Sequence, residues 1–592
     1  MHMCGVFGYT GKQIANDLVF QGLKRLEYRG YDSWGIAVND KHSLHIFKTT
    51  GEITDKKELK KLPSTNTAIG HTRWATHGGV TTNNAHPHNS ENKYFTLVQN
   101  GIVENYSELK RSLEQKGHIF KTQTDTEVIV KLIEEEQKIR KSFKSSISSA
   151  FNLLKGRNTI VILTKDNDIY AIRNGSPLVI GKSKDGIYLA SDSLSFSPYT
   201  NKVILLDDYD FVHISNGDIE ITNILTKKKK NIKIQTLKNK YVDIGKGKYK
   251  HYMLKEIVEQ QNTIINATQY TKQELKPLLE DIKEAHRVYV VGAGTAGFAA
   301  GQITYYLRNI SNVDAQDIKS YEFKSYLNIL QKKDLVIAVS QSGETADTIE
   351  VLELAKERGC KIASIVNMLG TTITRMSDHA YFTNAGPEIC VASTKVFTSQ
   401  CAWGYLLAKT IANEYGVAQK DIASLAKKLG TFLQKDTYKN IKKIVKRIQD
   451  SEHLFVLGKG NNANISLEGA LKIKEISYKH IEGFMAGELK HGVIALLEKG
   501  TPVFGIISDD QDSKDMISSM EQVKARGALT VGIGDKKFNT SLFDLFIPTP
   551  QVNDLSGISN VIAFQLLSYF LSLRLGNNID KPRNLAKSVT VK

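Results

Sequence analysis

Through residues 4–235 short apolar runs alternate with turn-forming stretches. Gly35-Ile36-Ala37-Val38, Phe95-Thr96-Leu97-Val98 and Thr159-Ile160-Val161-Ile162-Leu163 read as strands, bounded by polar and turn residues. Gln13 to Leu26, Tyr106 to Lys116 and Thr126 to Lys138 carry helical patterns instead. Interleaved strands and helices predict an α+β layered domain over 4–235. Thr226 to Lys250 is lysine-rich and poor in large apolar residues, so a linker with a lead-in helix is expected over 236–280.

Beyond it the pattern becomes strand–loop–helix, and it repeats. Arg287-Val288-Tyr289-Val290-Val291-Gly292-Ala293-Gly294 matches His453-Leu454-Phe455-Val456-Leu457-Gly458-Lys459-Gly460. Leu335 to Val339 matches Val503 to Ile507, and Lys356-Glu357-Arg358-Gly359 matches Lys524-Ala525-Arg526-Gly527. Three matches in order, at a near-constant offset of about 167 residues, predict two copies of one parallel α/β unit. They are expected over 281–425 and 440–575, with a tail over 576–592.

With 592 residues the chain exceeds one core, and its composition is ordinary for globular domains. The formal net charge of +17 could suit an anionic partner, but the lysines are scattered. The one dense run, Lys227 to Lys230, has no zinc-ligand spacing, aromatic ladder or basic helix beside it. Neither nucleic acid nor a metal is expected. Cys4, Cys360, Cys390 and Cys401 lack disulfide-framework or CxxC spacing, which points to a reducing cytoplasm. No signal peptide precedes Cys4, and no apolar run is expected to span a bilayer. Val561 to Leu575 reads as a core helix, and no membrane partner is expected.

Cys4 is the first candidate for chemistry. Were it residue one, its α-amine, titrating at roughly 8, could act as base toward its own thiol. Histidine is too bulky for removal of a Met before it, whereas Met3-Cys4 suits that trimming. Met3 is therefore expected to be the natural start, and the thiol to be inactive while three residues precede it. Ser340-Gln341-Ser342-Gly343-Glu344-Thr345, after an apolar strand, offers hydroxyls, N–H groups and a helix N-terminus to a phosphate. The second copy has Ser508-Asp509-Asp510-Gln511-Asp512 there, and its aspartates would repel one. Gly292-Ala293-Gly294-Thr295-Ala296-Gly297 is a GxGxxG, but no acidic residue ending a clear second strand follows about twenty residues on. No dinucleotide or other cofactor is expected.

Taken together, the motifs resemble one enzyme family over nearly the whole chain. CGVFG at 4–8, LEYRGYDS at 26–33, HTRWATHG at 71–78, NAHPH at 84–88, NGI at 100–102 and TDTE at 124–127 look like an N-terminal-nucleophile glutamine amidotransferase domain. SQSGET at 340–345, VASTK at 391–395, EGALKIKE at 468–475, GELKHG at 487–492 and the tail PRNLAKSVTV resemble paired sugar-isomerase domains. The combination is similar to the glutamine–fructose-6-phosphate aminotransferase (isomerising) family.

That resemblance implies an α+β N-terminal-nucleophile glutamine amidotransferase domain followed by two α/β sugar-isomerase domains with parallel sheets. It implies transfer of ammonia from glutamine to fructose 6-phosphate and isomerisation to glucosamine 6-phosphate, the first step of amino-sugar synthesis. Cys4 would attack the glutamine amide, with Asn100 and Gly101 as oxyanion donors. Arg73 and Asp125 would hold the α-carboxylate and α-ammonium, with Thr76 and His77 lining the pocket. Ser340, Gln341, Ser342 and Thr345 would bind the sugar phosphate, and Thr295 and Ser393 would add hydrogen bonds. Lys587 would form a Schiff base at C2, since partial burial favours a free amine. Glu475 would move the proton between C1 and C2, His491 would assist ring opening, and Lys472 would steer sugar oxygens. Lys472 and Glu475 stand three apart on an expected helix and so face one site. Trp74 would gate an ammonia channel, the tail would close over the sugar, and the chain would form a homodimer in the cytoplasm.

Three positions depart from the family pattern. Ala296 replaces a usual serine, removing a hydroxyl; Trp34 replaces a small residue near the loop expected to meet the sugar half; Lys592 stands where an acid is common. An amidotransferase acting on phosphoribosyl pyrophosphate would need an acidic diphosphate loop rather than a duplicated unit. A sugar-phosphate-sensing regulator would need a DNA-binding helix-turn-helix in place of Cys4 to Asp125. A deglycase or isomerase with a glutaminase-like domain is separated by its products.

Overall fold

Neighbouring residues on the first strand, Val6 and Phe7, are both fully buried yet belong to different cores. A strand sends successive side chains to opposite faces, so a sheet covered on both sides needs apolar residues at both parities. Ile36 and Ala37, Leu97 and Val98, and Ile160 and Val161 divide in the same way. The computed structural model describes residues 4–40, 43–54, 56–236 and 245–589. It has two units, Met1–Ile244 with Ser588–Lys592, and Gly245–Lys587. Met1–Met3, whose trimming the sequence predicts, and Lys592 lie outside the described residues.

In the first unit, Gly5–Gly11 pairs antiparallel with Thr67–Arg73 on one side and Gly186–Ala190 on the other, near the middle of an eight-stranded sheet. A six-stranded antiparallel sheet has Phe95–Gly101 between His88–Asn89 and Asn158–Thr164. Val6, Ala37 and Ile69 from one sheet and Val98, Val161 and Ala171 from the other share a core between them. The helix Ala15–Leu26 covers the outer face of the first sheet, and Thr126–Gln137 and Phe143–Asn152 that of the second. The layers run helix, sheet, sheet, helix. Lys230, in the dense lysine run, pairs with Asp207 at 2.6 Å and Asp210 at 2.5 Å.

The second unit holds two five-stranded parallel sheets of one topology. The first runs Ala315–Lys319, Val288–Gly292, Leu335–Ser340, Lys361–Val366, His379–Phe382. The second runs His480–Met485, His453–Gly458, Pro502–Ile507, Leu529–Gly534, Leu545–Pro548. The repeat is therefore architectural. SQSGET follows the third strand of its copy in chain order, because the polar edge strand AQDIK at 315–319, which no apolar run announces, lies between Val288–Gly292 and Leu335–Ser340. Residues of both sheets join one core with the helices Gly294–Ser311, Lys395–Ile411, Ala463–Ser477 and Ser556–Leu575. Asn553–Leu575 is long and apolar enough to cross a membrane by length and composition, contrary to the sequence expectation, but 83% of its most apolar 18-residue stretch is buried inside the fold.

Candidate active sites

Cys4 enters the first sheet just ahead of Gly5, opposite Thr72, which puts its thiol beside the turn after Thr67–Arg73. Cys4 Sγ lies 3.8 Å from the Trp74 carbonyl. The turn is held by LEYRGYDS. Asp32 N–H donates to the Arg73 carbonyl at 3.0 Å, and Asp32 Oδ2 accepts the Ala75 N–H at 2.8 Å. Gly30 passes so close to this backbone that a Cβ would sit 2.7 Å from Trp74 N, so a side chain is excluded there. Arg73, 3% exposed, donates to the carbonyls of His77 (2.6 Å), Gly78 (3.2 Å) and Gly79 (3.2 Å) and so shapes the loop carrying Thr76 and His77.

Electrostatically the pocket disfavours the thiolate of Cys4. Burial pushes the Cys4 thiol up to about 11; Asp125 and Asp32 add to this, and Arg73 opposes it. Asp125 is buried and raised by burial, though its Oδ2 accepts the Val103 N–H at 2.8 Å. Asn100 is 2% exposed, and its Nδ2 has no hydrogen-bond partner among the described residues. A buried N–H₂ left unsatisfied is a donor awaiting an acceptor. Its neighbour Gln99 is fixed by a chain of bonds. Gln99 Nε2 donates to Asn158 Oδ1 at 2.6 Å, Thr126 Oγ1 donates to Gln99 Oε1, and His86 Nε2 meets Thr126 Oγ1 at 2.8 Å. TDTE thus orients the strand that presents Asn100-Gly101.

In the second unit Ser340 ends its strand and Ala346–Glu357 begins the helix. Ser340 Oγ accepts the Gly343 N–H at 3.0 Å and lies 3.2 Å from Thr345 Oγ1. Ser342 Oγ accepts the Glu344 N–H at 3.1 Å, and Glu344 turns inward to accept the Thr372 N–H at 2.9 Å. Gly343 adopts φ +65°, the left-handed region glycine enters without strain. Gln341, Ser342 and Thr345 stay half-exposed around this hairpin. In the second copy Ser508 instead accepts from Asn462 at 3.0 Å and Asn560 at 3.3 Å, inside a buried amide network.

Two lysines form the remaining clusters. Lys472, fully buried on Ala463–Ser477, donates to Thr295 Oγ1 at 2.9 Å and pairs with Glu475 at 2.6 Å and Glu468 at 3.3 Å. Burial works to lower its pKa, but the two carboxylates outweigh burial and raise it. Glu468 is pushed up to about 8 by burial, with Lys472 opposing. Lys587, whose side chain is only 3% exposed, pairs with the buried carboxylate of Glu388. Glu388 also accepts from Ser393 Oγ at 2.8 Å and from the N–H groups of Thr394 (2.8 Å) and Val396 (3.1 Å). Burial works to raise the Glu388 carboxyl; Lys587 and these donors outweigh it and hold it below its ordinary value.

The structure thus groups Cys4 with Arg73, Trp74 and Asp125; Ser340 with Ser342 and Thr345; Thr295 with Lys472 and Glu475; and Ser393 with Lys587. His491 ends the 3-10 turn Ala486–His491, is exposed, and joins none of these clusters among the described residues. Trp34 is 2% exposed and packs on Phe20 and Phe47 with ring centroids 5.8 and 5.2 Å away, so it is a core residue and not a loop contact. Glu388 and Glu468 were not singled out from sequence. Glu468 had one signal, its place one turn before Lys472 on the same helix face.

Comparison with known proteins adds independent findings. The glutamine amidotransferase domain model matches residues 71–197, and the SIS domain model matches 281–410 and 447–569. Curated proteins called glutamine–fructose-6-phosphate aminotransferase (isomerising) are similar over 100% of both chains, at 40% identity in Pyrococcus horikoshii and 37% in Aquifex aeolicus. The solved C-terminal domain of glucosamine-fructose-6-phosphate aminotransferase from Francisella tularensis, 32% identical, aligns with a TM-score of 0.51. The match covers 57% of this chain and 100% of that one.

Proposed function

From the premise that the chain belongs to the glutamine–fructose-6-phosphate aminotransferase (isomerising) family, we propose how its residues divide the reaction. The chain is an amidotransferase: an N-terminal-nucleophile glutaminase domain followed by two sugar-isomerase domains, converting glutamine and fructose 6-phosphate to glutamate and glucosamine 6-phosphate. Cys4 Sγ attacks the side-chain amide carbon of glutamine, and its proton passes through the freed α-amine to the leaving nitrogen. Ammonia departs, and water hydrolyses the thioester to glutamate and thiol. Asn100 Nδ2 and the Gly101 N–H meet the developing oxyanion, a preorganised donor being worth about 3 kcal/mol of barrier. Arg73, Asp125, Thr76 and His77 hold the amino acid end.

At the sugar site the half-exposed hydroxyls and N–H groups of Ser340, Gln341, Ser342 and Thr345 take the phosphate, helped by Ser393 and Thr295. Lys587 Nζ forms an imine at C2 with loss of water; ammonia then adds at C2 and expels the lysine amine. Glu475 carries the proton from C1 to C2, and Lys472 holds sugar oxygens. His491 acts in ring opening once it reaches the substrate. Trp74, beside the thiol, gates the ammonia. A homodimer and a cytoplasmic location complete the reading, supported by family membership and by four buried, unpaired cysteines.

The observation that carries it is Lys587, a lysine close to the chain terminus yet buried against a buried carboxylate, where a solvated tail would be ordinary. The test is product analysis with both substrates. Cys4→Ala should abolish glutamine use, and Lys587→Ala should abolish glucosamine 6-phosphate while glutamine is still hydrolysed. If both variants lose the same activities, this division fails; consumption of glucosamine 6-phosphate without glutamine dependence would favour the deglycase instead.

A further inference from the structure

The helix Tyr252–Asn266 opens the second unit, and nothing in its sequence marks it as functional. The N–H groups of Tyr252 and Met253 donate to the Asp580 carboxylate, each at 3.0 Å, and the Asp580 carbonyl accepts the Val391 N–H at 3.1 Å. One turn into the helix stands Glu256, 1% exposed. Its Oε1 accepts the N–H groups of Ile389 at 2.5 Å and Cys390 at 3.2 Å, the residues that follow Glu388. Its Oε2 is buried with no hydrogen-bond partner among the described residues. A single helical turn therefore ties down both the loop that carries Glu388 and the tail that carries Lys587.

We propose that Glu256 is a positioning residue: through the N–H groups of Ile389 and Cys390 it fixes the Glu388 carboxylate against Lys587 Nζ, and so sets how readily that amine is released to a ketose carbonyl. This rests on the reading of Lys587 as the imine-forming lysine. In that step the ammonium gives one proton to Glu388, the freed lone pair forms the C–N bond at C2, and the carbonyl oxygen leaves as water. The step needs one carboxylate beside Nζ, because a second would hold the proton more tightly.

Charge supports the assignment. The charged groups facing Glu256 are Glu388 on the loop, Lys587 on the tail and Lys395 on the helix Lys395–Ile411. Lys395 is itself 2.7 Å from Glu259 of Glu256's own helix, and Asp580 caps that helix. Burial and the Glu388 charge push Glu256 up to about 8, so it is an uncharged acid at neutral pH. Its ionisation in alkaline solution places the second carboxylate beside the pair.

The experiment is borohydride trapping of fructose 6-phosphate on the chain trimmed to begin at Cys4, read as labelling of the Lys587 peptide by mass spectrometry, with glutamine hydrolysis as the check on folding. Wild type should label, and Lys587→Ala should not; an unlabelled wild type removes the imine and the inference with it. With labelling secured, Glu256→Ala should slow it at least tenfold, and labelling at the wild-type rate refutes the inference alone. Glu256→Gln keeps an acceptor oxygen for both N–H groups and cannot ionise. Its rate, normalised to pH 7, should keep rising above pH 8 where wild type levels off. Parallel profiles refute the inference even if Glu256→Ala fails to fold.

Discussion

Alkylation of Cys4 tests the central chemistry most directly. The thiol is raised from 9.0 to about 11 by burial, against the pull of Arg73. Two units correspond to about 2.7 kcal/mol against the thiolate, and at pH 7 they cut its population from about one in a hundred to about one in ten thousand. With Met1–Met3 attached no α-amine is available, so this scarcity is uncompensated. With Cys4 as residue one, an amine titrating near 8 can take the proton as the bond forms. Iodoacetamide, a small primary amide that alkylates the thiolate, reports the difference, with mass spectrometry assigning label to Cys4. The full 592-residue chain should react about tenfold faster per pH unit, still climbing at pH 9.5, and should not hydrolyse glutamine. The chain beginning at Cys4 should react at least tenfold faster at pH 7.5, with an inflection near 8. An inflection at or below 9 in a chain shown by intact mass to keep Met1, or glutamine turnover by that chain at the trimmed rate, would refute the reasoning.

Asn100→Ala removes the unpartnered buried donor and should lower kcat for glutamine hydrolysis by about 10²–10³ with little change in KM, since the donor acts on the transition state; a loss under tenfold in steady-state assays excludes the oxyanion role. Gly343→Ala forces a Cβ onto a residue at φ +65° and to within 2.7 Å of Thr371 Cβ, opening the SQSGET hairpin proposed to take the phosphate. KM for fructose 6-phosphate should rise at least tenfold while glutamine hydrolysis is retained, and an unchanged KM would exclude this loop as the anion site.

The fold was largely legible, because the repeat and the two hydrophobic periods are written in apolar residues. What escaped was polar. The edge strands Ala315–Lys319 and His480–Met485 carry Gln316, Asp317 and Glu482, since an edge strand needs no continuous apolar run. The clusters around Cys4 and in the SQSGET hairpin could be pointed to from motifs, since most of their members lie in contiguous residues. Glu256 and Glu388 belong to no such motif: only burial by distant segments sets Glu388 against Lys587 and Glu256 against the loop that carries Glu388. Trp34 was noted only as a departure near a loop; its burial between Phe20 of the covering helix and Phe47 of the next strand comes from tertiary packing.

The duplicated unit shows how one architecture came to supply two kinds of group. Ser340 ends one strand, and Ser508 directly follows the equivalent strand Pro502–Ile507 of the equivalent sheet. Around Ser340 the loop leaves hydroxyls and N–H groups half-exposed before a helix of twelve residues, so an anion finds donors and a favourable dipole. Around Ser508 the amides of Asn462 and Asn560 consume the hydroxyl, and Asp509, Asp510 and Asp512 stand before the following helix, so the same anion would meet negative charge. The second copy contributes instead from its first helix, Ala463–Ser477, where Glu468, Lys472 and Glu475 share one face toward Thr295 of the first copy. A buried triad of that composition survives only if each member is paired, and Thr295 supplies the bond that links the triad to the other repeat. On the proposed assignment anion binding and proton handling belong to different copies, which meet through a shared core, the Gln302–Asn461 hydrogen bond and the Thr295 hydroxyl. A substitution at Ser342 should therefore move the KM for the sugar phosphate without touching the Lys472 cluster.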